Sequence, residues 1–235
     1  MTDFRHIAYS RYEQNIKIDY ETLAAAYRRR LAGKMRMSKQ WKCLDVACGY
    51  GNFLAFLRSA GLREFKGLDV SRNTINVAIK EFGDANVICS DVFEYLPKQA
   101  ETYDLISALD FIEHLTKSEL FEFLSLAGRA QRKGGLLLLR TPNANGLFGM
   151  AARYNDITHE VCFSPGSISD VVARFEYKTV DIWEDVGVPT SLLQTAHWLV
   201  WQSVRFAIRC VNASETGRWG DGVLTRNMWV LAEKL

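Results

Sequence analysis

The segment Cys43-Leu44-Asp45-Val46-Ala47-Cys48-Gly49-Tyr50-Gly51-Asn52-Phe53-Leu54 constrains this chain more than any other. A short apolar run with one acid inside it meets two glycines, and a stretch with helical character follows. Glycine allows backbone torsions that other residues resist, and it lets a ligand approach the main chain closely. A helix starting there offers N–H donors that have no partner within the helix. The segment therefore reads as strand, turn and helix around a small ligand.

The remainder of the chain is compatible with that reading. From Trp41 onward short apolar runs alternate with amphipathic stretches, as in βαβ units with a parallel sheet. Strands are expected at 43–47, 64–69, 86–90, 103–109 and 135–141, and helices near 52–60, 72–82 and 117–132. Gly61, Gly83 and Gly134 stand where helix ends are expected. The run Leu136–Leu139 suits a central strand covered on both faces. Further on, 167–174 reads as helix, 176–184 as strand, 190–212 as a long helix and 225–233 as a closing strand. The expected fold is α/β: a Rossmann-like, doubly wound, mostly parallel seven-stranded sheet with helices on both faces. Residues 41–235 would form that domain. Residues 1–40 are polar and basic, with a helix over Asp19–Leu31, and would form an N-terminal helical segment. Residues 143–166 break the regular pattern, and a loop of that length in a compact domain is more often functional than filler.

A chain of 235 residues is large enough to bury one such core. The formal charge of +2 gives no global field to gather nucleic acid, and no basic stripe stands out, so no nucleic-acid partner is expected. Cys43, Cys48, Cys89, Cys162 and Cys210 are scattered without a CxxC pair, which points to a reduced, cytoplasmic chain. Met1-Thr2-Asp3-Phe4-Arg5 leads into no apolar signal-peptide core, and no apolar run is long enough for a transmembrane span.

Spacing separates two kinds of nucleotide cofactor. A dinucleotide fingerprint needs a third small residue after GxGxx, for close helix–strand packing. Here Gly51 is followed by Asn52, Phe53 and Leu54. Asp45 would repel a pyrophosphate, but it would suit the ammonium and sulfonium of S-adenosylmethionine. At these residues the chain resembles the class I S-adenosylmethionine-dependent methyltransferases, whose first motif is an acid followed by xGxGxG or a relative. The resemblance covers roughly residues 41–142. It implies S-adenosyl-L-methionine as cofactor, held by Asp45, Ala47, Cys48, Gly49, Gly51, Asn52 and Phe53. Asp69, with Val70 beside it, would accept the two ribose hydroxyls. Asp91 would contact the adenine amino group, with the Val92 N–H nearby. Ala108 and Leu109 match the segment that lines the methionine portion.

Asp110, Glu113 and His114 follow the fourth strand, and the interruption supplies His159. Spacing i, i+3, i+4 places the first three on one face if the turn is helical. Carboxylates with imidazoles could hold Mg2+ or Mn2+, with His159 closing the set. The pattern resembles E-x-x-E-H plus a distant His in metal-dependent methyltransferases of catechols and of small-RNA ribose, with Asp110 in place of the first Glu. The same turn also occurs in methyltransferases without metal, where Glu113 and His114 only brace it. Without a metal, His159 is the leading base, since neutral imidazole can take a hydroxyl proton near neutral pH. Asp110 and Asp156 are the alternatives.

In the long helix, Leu193, Ala196, Val200, Val204 and Ala207 line one face, expected to pack on the core. Trp198, Trp201, Gln202, Arg205 and Arg209 line the other. Tryptophan with arginine also suits a membrane interface or a sugar-binding wall, and Trp183, Trp219 and Trp229 would add aromatic surface. EHL, RTPNANGLFG, THE and FSPGSISDVV resemble methyltransferases of bacterial polysaccharide and lipid-linked sugar pathways. That resemblance implies O-methylation of a sugar or glycan intermediate, with a catechol or quinone precursor as alternative acceptor. The chain is expected to be a monomer or homodimer, in the cytoplasm or in peripheral contact with the inner membrane face. A non-catalytic S-adenosylmethionine-binding protein is the reading from a different class. Tyr9, Arg11 and Tyr12 are suited to cover the cofactor as a lid.

Overall fold

A computed structural model describes residues 16–220 and 222–235. The expected lid residues Tyr9, Arg11 and Tyr12 lie outside the described residues. The elements follow in order: α1 (Tyr20–Arg30), β1 (Lys42–Val46), α2 (Asn52–Ser59), β2 (Glu64–Asp69), α3 (Arg72–Phe82), β3 (Val87–Cys89), α4 (Val92–Tyr95), β4 (Tyr103–Leu109), α5 (Lys117–Ala130), β5 (Gln131–Pro142), α6 (Gly149–Tyr154), α7 (Pro165–Ala173), β6 (Tyr177–Glu184), α8 (Leu192–Thr216) and β7 (Asn227–Lys234).

The seven strands make one sheet in the order β3-β2-β1-β4-β5-β7-β6. Pairing is parallel from β3 through β5, whereas β7 inserts antiparallel between β5 and β6. Because strand side chains alternate, each central strand feeds both layers. Leu137 and Leu139 join α5 and α7 in one layer, while Leu138 joins α2 and Trp229 in the other. That double coverage explains the unbroken apolar run.

Local chemistry sets the helix starts. Thr116 and Glu119 form a capping box at α5, Ser164 and Ser167 one at α7, and Ser71 caps α3. The expected helix end at Gly134 is corrected. Helix α5 ends at Ala130, and Gly134, with φ of 76°, sits in a register shift where β5 continues past Tyr103 of β4.

The long helix departs most from expectation. None of the residues of α8 is buried, and Leu193 and Val200 of the expected core face are 67% and 64% exposed. The opposite side docks instead: Trp201 Nε1 donates to Glu184 at 3.3 Å, and Arg205 pairs with the same carboxylate. Both sheet faces are already covered by other helices, so α8 is held at the sheet edge through Glu184. Trp183 and Trp229 are buried and stacked at 6.1 Å, so of the three expected surface tryptophans only Trp219 is exposed.

Candidate active site

The carboxyl ends of β1, β2 and β4 open onto a cavity of about 460 Å³. Two residues just past strand ends, Ala47 and Asp110, take left-handed φ values of 54° and 52°. Non-glycine residues hold such torsions only where their surroundings impose them, and these cluster at ligand sites. Both line the cavity.

Of the residues expected around the cofactor, Asp45, Ala47, Cys48, Gly49, Asn52, Phe53, Asp69, Val70, Asp91, Val92 and Leu109 line this cavity. Gly51 does not. It caps α2 with φ of 84°, and a Cβ there would come within 2.5 Å of the Phe82 ring. Its place is structural, letting the turn close against α3.

The three acids differ in surroundings. Asp45 is 2% exposed and accepts a 2.7 Å hydrogen bond from Ser107. Burial pushes its carboxyl up to about 7. Asp69 accepts from the Gly49 and Ser71 N–H groups, each at 2.8 Å, so it pins the glycine turn to the end of β2. Burial raises it too, against those two bonds. Asp91 accepts from the Phe93 N–H and starts α4.

Sequence reasoning missed Tyr27, Thr74, Phe111 and Glu119, which also line the cavity. Tyr27 arrives because α1 packs against α2, where its ring meets Phe53 and Trp229 edge-on at 5.3 and 6.2 Å. No local signal in the sequence announces that contact.

The residues after β4 divide into two groups. Asp110 is tied to Arg140, which also pairs with Asp185 at 2.7 Å. Asp185 reaches on to Arg30 of α1 and accepts from Trp229 Nε1. Burial opposes the charge of Asp185, but Arg140, Trp229 and Arg30 outweigh it and hold the carboxyl low. Asp110 thus stands apart from the four-residue set expected from spacing, because its left-handed backbone turns it out of the following Ile112–His114 turn.

Glu113, His114 and His159 do come together, with one ligand atom of each lying within 4.8 Å of the others. The two imidazoles stand 4.7 Å apart. Thr158 Oγ1 donates to Asp156, so it accepts from His114 Nδ1 at 2.8 Å. His159 Nδ1 donates to the Arg153 carbonyl at 3.2 Å. Both rings are thereby set in the tautomer that makes Nε2 the acceptor atom. Glu113 is 1% exposed, and burial followed by Asp110 pushes it up to about 8. Its carbonyl accepts from the Glu160 and Val161 N–H groups, which clamps the 155–161 segment to this turn. Of the three, His114 lines the cavity.

The family model of a methyltransferase domain matches residues 15–182. A ubiquinone biosynthesis O-methyltransferase of Mesorhizobium japonicum is 31% identical over 48% of this chain and 47% of its own length. A sphingolipid C9-methyltransferase of Candida albicans is 28% identical over 47% of this chain and 23% of its own length. The chain thus spans less than half the length of these two curated relatives. A solved S-adenosylmethionine-dependent methyltransferase from Archaeoglobus fulgidus superposes with a TM-score of 0.65 at 21% identity, over 99% of this chain and 100% of that one. With strand order, cavity and family model in agreement, the chain belongs to the methyltransferase domain family and has the class I, S-adenosylmethionine-dependent fold.

Proposed function

We propose that the chain transfers a methyl group from S-adenosylmethionine to one hydroxyl of a vicinal pair, on a sugar or glycan-pathway intermediate. The observation that carries this reading is the Glu113–His114–His159 cluster beside the cavity. Asp45 would face the cationic methionine portion, Asp69 the ribose, and Asp91 with Val92 the adenine. The donor is already activated, so the protein's work is in-line positioning and removal of the hydroxyl proton.

The cluster fits a divalent cation. Glu113 Oε2 is buried and makes no hydrogen bond among the described residues, and two imidazoles present Nε2 beside it. Two nitrogens and one carboxylate suit Mn2+ or another transition ion better than Mg2+, which prefers oxygen ligands. When bound, such an ion would lower the pKa of an acceptor hydroxyl. Thr158 and the Arg153 carbonyl orient the two rings. Without the ion, His159 Nε2 would be the base that takes the proton; with the ion bound, that nitrogen would be a ligand instead. Asp110 is withdrawn from that role by its pairing with Arg140.

The second reading is a catechol or quinone precursor, which also offers neighbouring oxygens. The Mesorhizobium relative, named for ubiquinone biosynthesis, favours it. The test is transfer of labelled methyl to a panel of sugars, nucleotide sugars and catechols, with and without chelator. Transfer to a sugar diol that chelator abolishes and Mn2+ restores is expected. Transfer to catechols alone would replace the sugar reading. Transfer indifferent to chelator, with no metal retained by the native protein, would remove the ion and leave His159 as the base.

A further inference from the structure

Helix α8 turns an uncharged face to solvent. Leu192, Leu199, Val200, Phe206 and Val211 are each more than half exposed. Their spacing puts them on one side, opposite Trp201 and Arg205, which hold the helix to Glu184. A second exposed apolar group lies across the 222–226 segment, on and beside α6: Phe148, Met150, Tyr154 and Ile157, the last 97% exposed. That segment touches both, since the Leu147 N–H donates to the Leu224 carbonyl and Gly222 lies against Arg205 and Arg209. Apolar surface on this scale usually marks a contact with a membrane or another protein.

Charge decides between these occupants. From residue 186 to residue 214 the sequence holds no acid. Arg153 lies over the Tyr154 ring, Arg209 over Trp219 and Arg226 over Phe148, at 5.1, 5.6 and 5.5 Å. None of these three makes an ion pair with a described carboxylate. Uncompensated guanidiniums beside exposed aromatics and aliphatics complement anionic headgroups over acyl chains. A second copy seated on α8 would bring its arginines together over a stretch, 186–214, that offers no acid.

The placement also has a direction. Strands β5 and β6 both pair antiparallel with β7, so Glu184 ends β6 at the same edge of the sheet where β1 and β4 open into the cavity. Loop 155–161, which carries Ile157 of the second apolar group, is clamped to Glu113. We propose that α8 and the α6 region dock this chain onto an anionic lipid bilayer, with the acceptor side of the cavity turned toward the membrane. The docking does not depend on which hydroxyl is methylated.

Flotation of the full chain with vesicles tests this, comparing phosphatidylcholine alone with phosphatidylcholine containing phosphatidylglycerol. Binding to the anionic vesicles, weakened by salt, is expected. Leu199→Glu with Phe206→Glu should lower the partition coefficient at least about tenfold. Arg209→Gln and Arg226→Gln should each lower it about fivefold on anionic vesicles alone. Unchanged binding of S-adenosylhomocysteine would show that each variant is folded. No flotation on either vesicle, or flotation that both sets of variants leave intact, would overturn the proposal. So would light scattering that reports a dimer abolished by Leu199→Glu with Phe206→Glu, since a second copy would then cover the face.

Discussion

Helix α2 buries five of its eight residues, whereas α8 runs for twenty-five and buries none. Both are amphipathic, and the better start signal belongs to α8, which Ser191 caps, whereas α2 begins at Gly51 with no side-chain cap. The difference is what lies beneath them. Helix α2 leaves the glycine turn directly over the sheet, and Phe53, Leu54 and Leu57 enter a layer shared with Leu105 and Leu138. Helix α8 comes after both faces of the sheet are filled, so it is fastened by polar side chains at Glu184. An apolar stripe in a sequence thus states what a helix can bury, and the remaining fold decides whether anything is there to receive it.

The same contrast divides the site. The cofactor side is built from strand ends whose acids are held by backbone N–H groups and Ser107. The proposed acceptor side is built from an interruption, residues 143–166, that contains the short helix α6 and is tied back at Glu113. The first arrangement follows from the βαβ architecture, and the second follows from particular side-chain contacts.

The comparison can be broken most directly at two phenylalanines. Phe53→Ala should cost about 3–5 kcal/mol, because a buried ring leaves a cavity. Thermal unfolding of Phe53→Ala beside Phe206→Ala would show whether α2 and α8 differ as described. Asp69→Ala removes a carboxylate bonded to two N–H groups at the turn and proposed to bind ribose. S-adenosylhomocysteine affinity should fall by at least about a hundredfold by calorimetry, from two lost charge-assisted bonds to the ribose of about 1.5–3 kcal/mol each.

Asp45 makes a pH prediction. Burial raises its folded pKa to about 7 from the ordinary 3.8, so folding takes up a proton between those values. The contribution to stability of the cofactor-free chain is full below the ordinary pKa and is lost as pH rises through about 7. A cationic ligand favours the ionised form, so S-adenosylmethionine should bind more tightly as pH rises toward that value and level off above it. Asp45→Asn should flatten both profiles; a slope that survives would point to another group. The smallest effect is expected for Phe206→Ala, within about 0.5 kcal/mol of the parent, since its side chain is 64% exposed.

Much of the sheet was legible in the chain. β4 lies where its apolar run places it, since a strand covered on both faces needs a short, continuous hydrophobic segment, and β2 keeps its expected bounds with Phe65 and Leu68 buried. α6 was not legible, because six residues carry too little periodicity. Tyr27 was not, because its place in the cavity depends on α1 packing against α2, far along the chain. Asp110 shared the helical spacing of Glu113 and His114, yet a single left-handed residue turned it to Arg140.

By itself the sequence determined the glycine turn after β1, the acids Asp45, Asp69 and Asp91 at successive strand ends, and the alternation that makes a doubly wound sheet. These are local matters of period, torsion and chain order. Only the tertiary structure decided which face of α8 meets solvent, that Glu113 and His114 meet His159 across 45 residues of chain, and that Arg140 claims Asp110. Those outcomes depend on what each side chain finds when the layers close. Burial, competing partners and space already filled are properties of the packed molecule and of no single segment.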